Sequence, residues 1–323
     1  MEFEKKISVV IPCYNRELFI NSAIDSVLAQ KYNDVEIIIV DDGSIDRSQE
    51  IVNAYGESVR LIAVENGGPS RARNIGWRAA KGDFIKFHDS DDIMPNGALA
   101  GLSEAANGVP YGTIVFGDAV AVGEDGISQS SVRYGYAHTG LLGIIPNDLI
   151  LSDVMSVFLP LFPKSILESV GGLNENILLA EDYELSFRLI LNKNIFYRTN
   201  VTVSKIRQHK YVRLTKVDRE IFYKRMIYVN NCILERLGES DRGIIGKRER
   251  CAMARLIWRS GRLAVRAHRP EEAKELFLQS QAIGPGGPSG EHPIVRILYK
   301  ICKPTNAEKI LQKTRCIVDW MRQ

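Results

Sequence analysis

Length, composition and charge indicate a globular protein with one large domain and an appendage, or two domains. The chain has 323 residues, of which 45% are hydrophobic and 25% charged, so it can fill a sizeable core and is neither a charged tail nor a fibre. Its five scattered cysteines form no C-x-x-C pattern, which argues against a zinc site or a disulfide framework and favours a reducing compartment.

The net charge of +3 hides an uneven distribution along the chain. Residues 1–204 hold 16 Lys and Arg against 27 Asp and Glu, a balance of −11, whereas residues 205–323 hold 26 against 12, a balance of +14. An acidic half is suited to handling metal ions, and a basic half is suited to an anionic surface such as phosphate, lipid headgroups or nucleic acid.

Neither the N-terminus nor any apolar stretch indicates export or a membrane span. The start, MEFEKKISVVIPCYNR, has acidic residues and a proline where a secretory signal needs a basic start and a longer apolar run. The most apolar region, residues 140–163, is interrupted by Asn147, Asp148 and Asp153. We therefore expect a mature, cytoplasmic sequence.

The first hundred residues predict strands that alternate with helices. Strands are predicted at KISVVIP, VEIIIVDD, VRLIAVEN and DFIKFHD, and helices at NRELFINSAIDSVLAQ, SQEIVNAYG and GPSRARNIGWRAAKG. This alternation predicts an α/β fold with a doubly wound, mostly parallel sheet flanked by helices. The strand ends PCYNR, VDDGS, ENGG and HDSDD would then converge on one crevice, where such sheets bind ligands.

Later elements are less regular. GTIVFGDAVAVGEDG predicts a strand and a hairpin-like turn at Glu124 to Gly126, and a helix is predicted from about Tyr183 to Leu191. From Glu220 the pattern is helical, and SGRLAVRAHRPEEAKELFLQSQAI resembles one tetratricopeptide-like unit. We place a boundary between a sheet domain over 1–215 and a basic helical C-terminal region over 216–323.

Three carboxylates, Asp89, Asp91 and Asp92, crowd into four positions after the fourth predicted strand. Like charges this close repel, and a divalent cation shared with substrate phosphates would relieve the repulsion. Helix caps and turn aspartates would explain one or two of the three, so both interpretations stay open here.

Taken in order, VVIPCYNRELFINSAIDSVLAQ, IIIVDDGSID, ENGGPSRARNIGWRAAKGDFIKFHDSDDIMP and AEDYELSFRL resemble the family 2 glycosyltransferases, which have the GT-A fold. The resemblance covers about residues 6–210. It implies inverting transfer of a sugar, a hexose or N-acetylhexosamine, from a nucleotide-sugar, usually a UDP-sugar. It also implies Mn²⁺ or Mg²⁺ at an Asp-x-Asp motif, and a polysaccharide or lipid-linked glycan as acceptor.

The resemblance assigns the donor-binding residues. The nucleoside pocket would comprise Pro12, Tyr14, Asn15 and Arg16, with Tyr14 packing on the base and Asp42 accepting a hydrogen bond from uracil. A capped turn is the alternative for Tyr14, Asn15 and Asp42.

Further nucleotide contacts would come from the helix that begins near SRARN. Arg71, Arg73 and Asn74 fall where the family contacts the nucleotide, since a guanidinium can bind phosphate oxygens and a helix start offers backbone donors. A solvated helix face is the alternative for the two arginines.

The chemical residues follow from the same comparison. Asp91 is the first choice for metal ligation with Asp92 adjoining, and Asp89 would contact ribose directly or through water. Asp182, after Glu181, would be the general base. A helix N-cap is the alternative, and a base could serve as a cap as well. His209 would reach the metal or the diphosphate, a task that Lys205, Arg207 and Lys210 could also perform.

The basic region suggests a partner. The segment HPIVRILYKICK sets apolar against basic residues, which is compatible with peripheral attachment to an anionic membrane surface at its cytoplasmic face. No nucleic-acid recognition motif accompanies the charge, so nucleic acid is not predicted as a partner.

Other functions fit the sequence less well. The main alternative is a catalytically idle nucleotide-binding module with a basic interaction domain. A nucleotidyltransferase would need a glycine-rich loop where PCYNRE has no glycine, and a receiver domain of about 120 residues would leave Asp89 to Asp92 unexplained.

Overall fold

A computed structural model describes residues 5–127, 129–134, 143–147, 150, 155–210, 227–233, 235–236, 245–284 and 304–307. The chain divides into two compact units, Met1–Pro146 with Asp153–Tyr211, and Asn147–Ser152 with Val212–Gln323. The predicted boundary at 215 and the segment HPIVRILYKICK lie outside the described residues.

The first unit is built on a nine-stranded sheet with the order β3-β2-β1-β4-β8-β5-β9-β7, in which β6 pairs with β5. The strands are β1 Ile7–Cys13, β2 Val35–Asp41, β3 Arg60–Ala63, β4 Phe84–Phe87, β5 Thr113–Val122, β6 Gln129–Tyr134, β7 Gly143–Ile145, β8 Pro160–Pro163 and β9 Ile195–Arg207. The helices are α1 Ile20–Leu28, α2 Ser48–Asn53, α3 Pro69–Ala79, α4 Ala98–Asn107, α5 Lys164–Val170 and α6 Glu181–Leu191.

The first four strands are parallel, as the alternating pattern predicts. The later strands change direction: β8 is antiparallel to both β4 and β5, whereas β9 is parallel to β5. The α/β fold class is confirmed, with a mixed second half of the sheet.

The core of this unit is apolar on both faces of the central strands, because helices cover a parallel sheet from both sides. Every residue of β1 except Pro12 is buried, including Ser8, whose hydroxyl contacts the Glu36 carboxylate. Helix α3 lies very close to β1, since a Cβ built on Gly76 would overlap Val10 Cγ1. Only glycine permits this approach of helix to strand.

The second unit contains a helical hairpin, α7 Lys247–Arg266 and α8 Pro270–Ile283. The two helices pack through a cluster of apolar residues, namely Ile257, Trp258, Ala264, Val265, Ala273, Leu276 and Phe277. His268 makes the turn with φ of 60°, and a Cβ on Gly261 would lie 2.8 Å from Phe277 Cε1. Of the helices in the described ranges, none is both long and apolar enough to cross a bilayer.

Candidate active site

The carboxyl ends of β1, β2 and β4 meet at one edge of the sheet. Cys13 and Asp41 are partners in the parallel register of β1 and β2. On the other side of β1, the His88 backbone N–H donates to the Val10 carbonyl at 3.0 Å, which aligns the end of β4. The acidic turns that follow these strands therefore lie side by side, as the sequence predicts.

The turn after β1 is tied to the turn after β2. The Asn15 backbone N–H donates to Ser44 Oγ at 2.9 Å, and Asn15 Oδ1 accepts from the Ile45 N–H at 2.9 Å. Asn15 has φ of 52°, a left-handed conformation that asparagine tolerates. Tyr14 remains 44% exposed beside this junction, so its ring is open to a stacking partner.

The two aspartates at the end of β2 organise the neighbouring loops. Asp42 accepts hydrogen bonds from the backbone N–H groups of Gly67 and Gly68, at 2.9 and 2.8 Å. Burial raises the pKa of Asp42 above its usual value. Asp41 Oδ1 accepts from Ser44 N–H at 3.0 Å and from Gln49 Nε2 at 2.7 Å.

One guanidinium joins the end of β4 to the start of α6. Arg73 donates from Nη2 to Asp89 Oδ1 at 2.8 Å and from Nη1 to Glu181 Oε1 at 3.0 Å. Its side chain is buried, while that of Asp89 is 27% exposed. Arg73 thus links the Asp-x-Asp segment, through Asp89, to the Glu181-Asp182 pair, through Glu181, although the two segments lie far apart in the sequence.

Asp182 lies next to this ion pair. Burial raises the pKa of its carboxyl group to about 7, and the negative charge of Glu181 adds to the increase. The Tyr183 N–H donates to Asp182 Oδ1 at 2.8 Å, and the positive charge of Arg73 opposes the increase. A carboxylate with a pKa near neutrality is suited to accept a proton from a hydroxyl group.

A second polar group forms where β9 ends. His209 Nε2 lies 3.1 Å from Asp91 Oδ2, and Arg16 Nε lies 3.5 Å from the same oxygen. The imidazole stacks on Phe19 with ring centroids 4.5 Å apart. Backbone pairing of Ile93 with Lys205 brings these segments together.

Asp92 faces a different environment from Asp91. Its carboxylate accepts from the Arg207 backbone N–H at 3.1 Å and from Ser204 Oγ at 3.3 Å, and the residue is buried. The structure therefore brings Asp91 and His209 together and directs Asp92 into β9.

The donor chemistry of Asp91 and His209 fits a divalent ion. A carboxylate oxygen and an imidazole nitrogen converge, and both are ligands that Mn²⁺ accepts. Within the described residues, no group of three or more His, Cys, Asp or Glu side chains surrounds a common point. Two protein ligands suit an ion that takes its remaining ligands from phosphate and water.

Comparison with known proteins covers the part of this site up to Asp92, whereas Glu181, Asp182 and His209 lie beyond the matched residues. Residues 8–158 match the family model "Glycosyl transferase family 2". The chain carries a glycosyl transferase family 2 domain.

Two curated relatives are named as uncharacterized glycosyltransferases. The uncharacterized glycosyltransferase EpsJ of Bacillus subtilis is 45% identical over 103 residues, which is 31% of this chain and 30% of that protein. An uncharacterized glycosyltransferase of Rickettsia felis is 29% identical over 206 residues, 61% of this chain and 33% of that protein. The alignments with this chain thus span about a third of the length of these two relatives.

Two solved structures have the same fold as this chain, over residues that extend beyond the family 2 match. Residues 1–349 of S. aureus TarS in complex with UDP-GlcNAc match with a TM-score of 0.61 and 18% identity, covering 89% of this chain and 93% of that one. Mannosyltransferase PcManGT from Pyrobaculum calidifontis, in complex with GDP-Man and Mn²⁺, matches with a TM-score of 0.56 and 16% identity, covering 97% and 85%. These likenesses show the GT-A fold.

Two other residues of the family 2 domain that the sequence assigned to the nucleotide have partners inside the protein. Arg71 donates to the Glu65 carbonyl at 2.7 Å. Asn74 is fully buried, and its amide bonds to Leu173 N and O, Glu175 Oε1 and Trp77 Nε1 at 2.8–2.9 Å. Asn74 therefore ties α3 to the segment that precedes α6.

Sequence reasoning missed part of the supporting structure. Arg207 bonds to the Asp91 carbonyl at 3.2 Å, the Glu124 carbonyl at 3.0 Å and Ser22 Oγ at 2.9 Å, so it braces the metal-binding candidate. The sequence shows Arg207 as one of three basic residues near His209, and nothing in it indicates that Arg207, and not Lys205 or Lys210, makes these contacts.

Lys86 is a second residue that the sequence left unassigned. It is fully buried in β4 and donates to the carbonyls of Phe87 and Phe158, and burial lowers its pKa to about 7. A single lysine in an apolar strand gives no sequence signal that it faces the interior.

Proposed function

We propose that this chain is a metal-dependent inverting glycosyltransferase, which moves a sugar from a nucleotide-sugar, a UDP-sugar first among the candidates, to a hydroxyl group of a polysaccharide or lipid-linked glycan. The observation that carries the proposal is the convergence of Asp89 and Glu181, the residue before Asp182, on Arg73. A donor-side carboxylate and a base with a pKa near neutrality then lie at one edge of the sheet. The family 2 domain supports sugar transfer as the reaction.

The turns after β1 and β2 would hold the nucleoside. Tyr14 is exposed enough to stack on a base, and Asn15 holds the turn in place. Asp42 uses one lone pair on each oxygen for Gly67 and Gly68 and retains acceptor capacity for an imide N–H of uracil. Solved neighbours of the same fold are in complex with UDP-GlcNAc and GDP-Man, which supports a nucleotide-sugar donor.

Asp91 and His209 would hold Mn²⁺ or Mg²⁺, with Arg16 close to the same carboxylate. When bound, such an ion would neutralise charge that develops on the diphosphate leaving group. Asp89 is partly exposed and would contact the ribose, whereas the buried Asp92 would keep Asp91 oriented through its bonds to β9.

Asp182 would act as the general base. The acceptor oxygen forms a bond to the anomeric carbon while the bond from that carbon to the diphosphate oxygen breaks, and the hydroxyl proton passes to the Asp182 carboxylate. The nucleoside diphosphate leaves with the electron pair of the broken bond. One base and no covalent intermediate give inversion at the anomeric carbon.

The basic C-terminal region would keep the enzyme at an anionic membrane surface, where a lipid-linked acceptor is presented. The supporting observation is the charge of +14 over residues 205–323, against −11 over residues 1–204.

A panel of UDP-, GDP- and dTDP-sugars with Mn²⁺ or Mg²⁺ tests the function, with product identified by mass spectrometry. Asp182→Asn is expected to lower kcat by about 10²- to 10⁴-fold while donor binding persists, because only proton transfer is lost. Asp91→Ala is expected to abolish the response to added metal. Glu50→Gln, which removes an exposed carboxylate on α2, is the control and should behave as wild type.

Two results would count against the proposal. Calorimetry that shows nucleotide-sugar binding without turnover for any donor would favour an idle nucleotide-binding module. Unchanged turnover in both Asp91→Ala and Asp182→Asn would remove the site assignment and leave the family membership of the domain intact.

A further inference from the structure

Arg73 uses its guanidinium differently from two other buried arginines of the first unit. Arg188 grips Glu184 with Nε and Nη2, both at 2.7 Å, and Arg198 grips Asp118 with Nε and Nη2 at 3.1 and 2.5 Å. Each of these arginines forms a bidentate ion pair with a single carboxylate, which is the usual arrangement for a structural ion pair.

Arg73 instead divides its two terminal nitrogens between two segments. Nη2 binds Asp89 after β4, and Nη1 binds Glu181 at the first position of α6. Its Nε is buried and has no hydrogen-bond partner among the described residues. Arg73 therefore forms no bidentate pair with either carboxylate. Instead it bridges the turn after β4 and the start of α6.

The helix that carries Arg73 is anchored firmly on the same side. Ser70, Arg73, Asn74 and Trp77 follow the i, i+3, i+4, i+7 spacing of one helical face. Ser70 Oγ donates to the Ile177 carbonyl at 3.2 Å, and Asn74 bonds to the backbone of Leu173. This face therefore holds the chain that leads into α6, so Arg73 acts from a fixed position.

The start of α6 has a backbone that needs external support. Ala180, which precedes Glu181, has φ of 63° and ψ of 30°, a left-handed conformation that is unfavourable for a residue other than glycine. The Arg73–Glu181 pair holds the helix start in this orientation, and Asp182 is the next residue. The direction of the Asp182 carboxylate thus depends on a contact made one residue earlier.

We propose that Arg73 is a positioning residue, which sets the general base Asp182 at a fixed distance from the donor-side Asp89 by gripping Glu181 and Asp89 at the same time. The inference rests on the proposed glycosyl transfer. In this role Arg73 contacts Glu181 and Asp89 and does not bind the diphosphate of the donor.

The charges around Arg73 supply a measurable consequence. The charged groups that face Asp182 are Glu181 on its own helix and Arg73 on α3, and Asp89 reaches the same guanidinium from the end of β4. Arg73 opposes the effects of burial and of Glu181 on the pKa of Asp182. Its removal is therefore expected to raise that pKa further.

The test compares Arg73→Met and Arg73→Lys with the matched control Arg78→Met. Arg78 lies on the same helix and makes an exposed pair with Glu175, with side-chain exposures of 52% and 40%. For Arg73→Met we expect kcat at pH 7 to fall about tenfold or more and the acid limb of the kcat profile to move up by about one pH unit. The affinity for the donor, measured by calorimetry, should stay within about threefold of wild type, because a positioning residue does not touch the donor. A tenfold weaker affinity, about 1.4 kcal/mol, would indicate a lost contact with the donor.

Arg73→Lys separates charge from geometry. An ammonium group keeps the positive charge but lacks the planar fork that reaches two carboxylates. We expect this variant to keep the acid limb near its wild-type position and to lose kcat. Adding Glu181→Gln to Arg73→Met removes the neighbouring negative charge and should move the acid limb back toward wild type.

A carboxyl ¹³C titration of Asp182, assigned with Asp182→Asn, gives a readout that needs no turnover. An unchanged titration in Arg73→Met, or a loss of donor affinity as the main effect, would overturn the positioning role and make Arg73 a nucleotide contact or a purely structural residue. If wild type transfers no sugar from any donor, the proposed function fails, whereas the titration still decides whether Arg73 controls Asp182. If Arg73→Met does not fold, Arg73→Lys and Glu181→Gln alone decide by the same two readouts.

Discussion

At the scale of single residues, the site depends on how neighbouring carboxylates are separated by their partners. Asp91 and Asp92 are adjacent in the chain, yet the first meets His209 and the second bonds to the backbone of Arg207. Asp89 and Glu181 share Arg73, and Asp182 is left with a raised pKa. Five acidic groups thus acquire different environments within one site.

The raised pKa of Asp182 predicts the pH dependence of the wild-type enzyme. A general base works only when ionised, so kcat/KM should rise about tenfold per pH unit below the pKa of about 7 and level off above it. Initial rates at saturating metal from pH 5.5 to 8.5 check this. The residual activity of Asp182→Asn should lack this acid limb, and a wild-type rate independent of pH across that range would contradict the assignment.

At the scale of elements, α3 determines how the sheet and the segment before α6 meet. One of its faces holds residues 173–177 through Asn74 and Ser70, and its Gly76 lets it lie against Val10 of β1. Helix α3 therefore packs on β1 on one side and holds the segment that leads to the Glu181-Asp182 pair on another.

Gly76→Ala is expected to destabilise the protein, which is the opposite of the usual effect in a helix. Alanine is favoured over glycine by about 1 kcal/mol in an unconstrained helix. Here the added methyl group would overlap Val10, and overpacking of this kind costs about 1–3 kcal/mol. Urea denaturation measures the change.

A double variant tests the cause of that loss. Val10→Ala creates space beneath Gly76, so combining it with Gly76→Ala should cost less than the sum of the two single changes. Simple additivity would show that the two positions do not interact.

At the scale of the whole molecule, positive charge is concentrated in the last third of the chain. Residues 205–323 account for 26 of the 42 Lys and Arg residues. A charge of this size attracts anionic lipid headgroups through an interaction that salt screens.

The full chain is therefore expected to co-sediment with vesicles that contain anionic lipid at low salt and to be released as salt rises. Each basic residue near such a surface contributes about 1 kcal/mol, so several acting together give stable binding. Vesicles of neutral lipid alone are the control. Equal recovery in the supernatant with both vesicle types at low salt would remove membrane attachment from the proposal.

The parallel half of the sheet and the convergence of its strand ends follow from local sequence patterns. Period-2 and period-3.6 patterns are local, and a parallel β-α-β succession leaves few topologies, so VDDGS and HDSDD had to meet at one edge. The match of residues 8–158 to the family 2 model agrees with the resemblance stated from the motifs.

The partner that each carboxylate takes depends on tertiary contacts. The sequence does not give the partners of Asp91 and Asp92, because these depend on where β9 and the residues after it place Ser204, Arg207 and His209, more than a hundred residues along the chain. Likewise, SRARN predicted a helix start, and the fold adds the contacts of Arg73 with Asp89 and Glu181. Hydrogen-bond partners are set by long-range packing, and no local pattern encodes them.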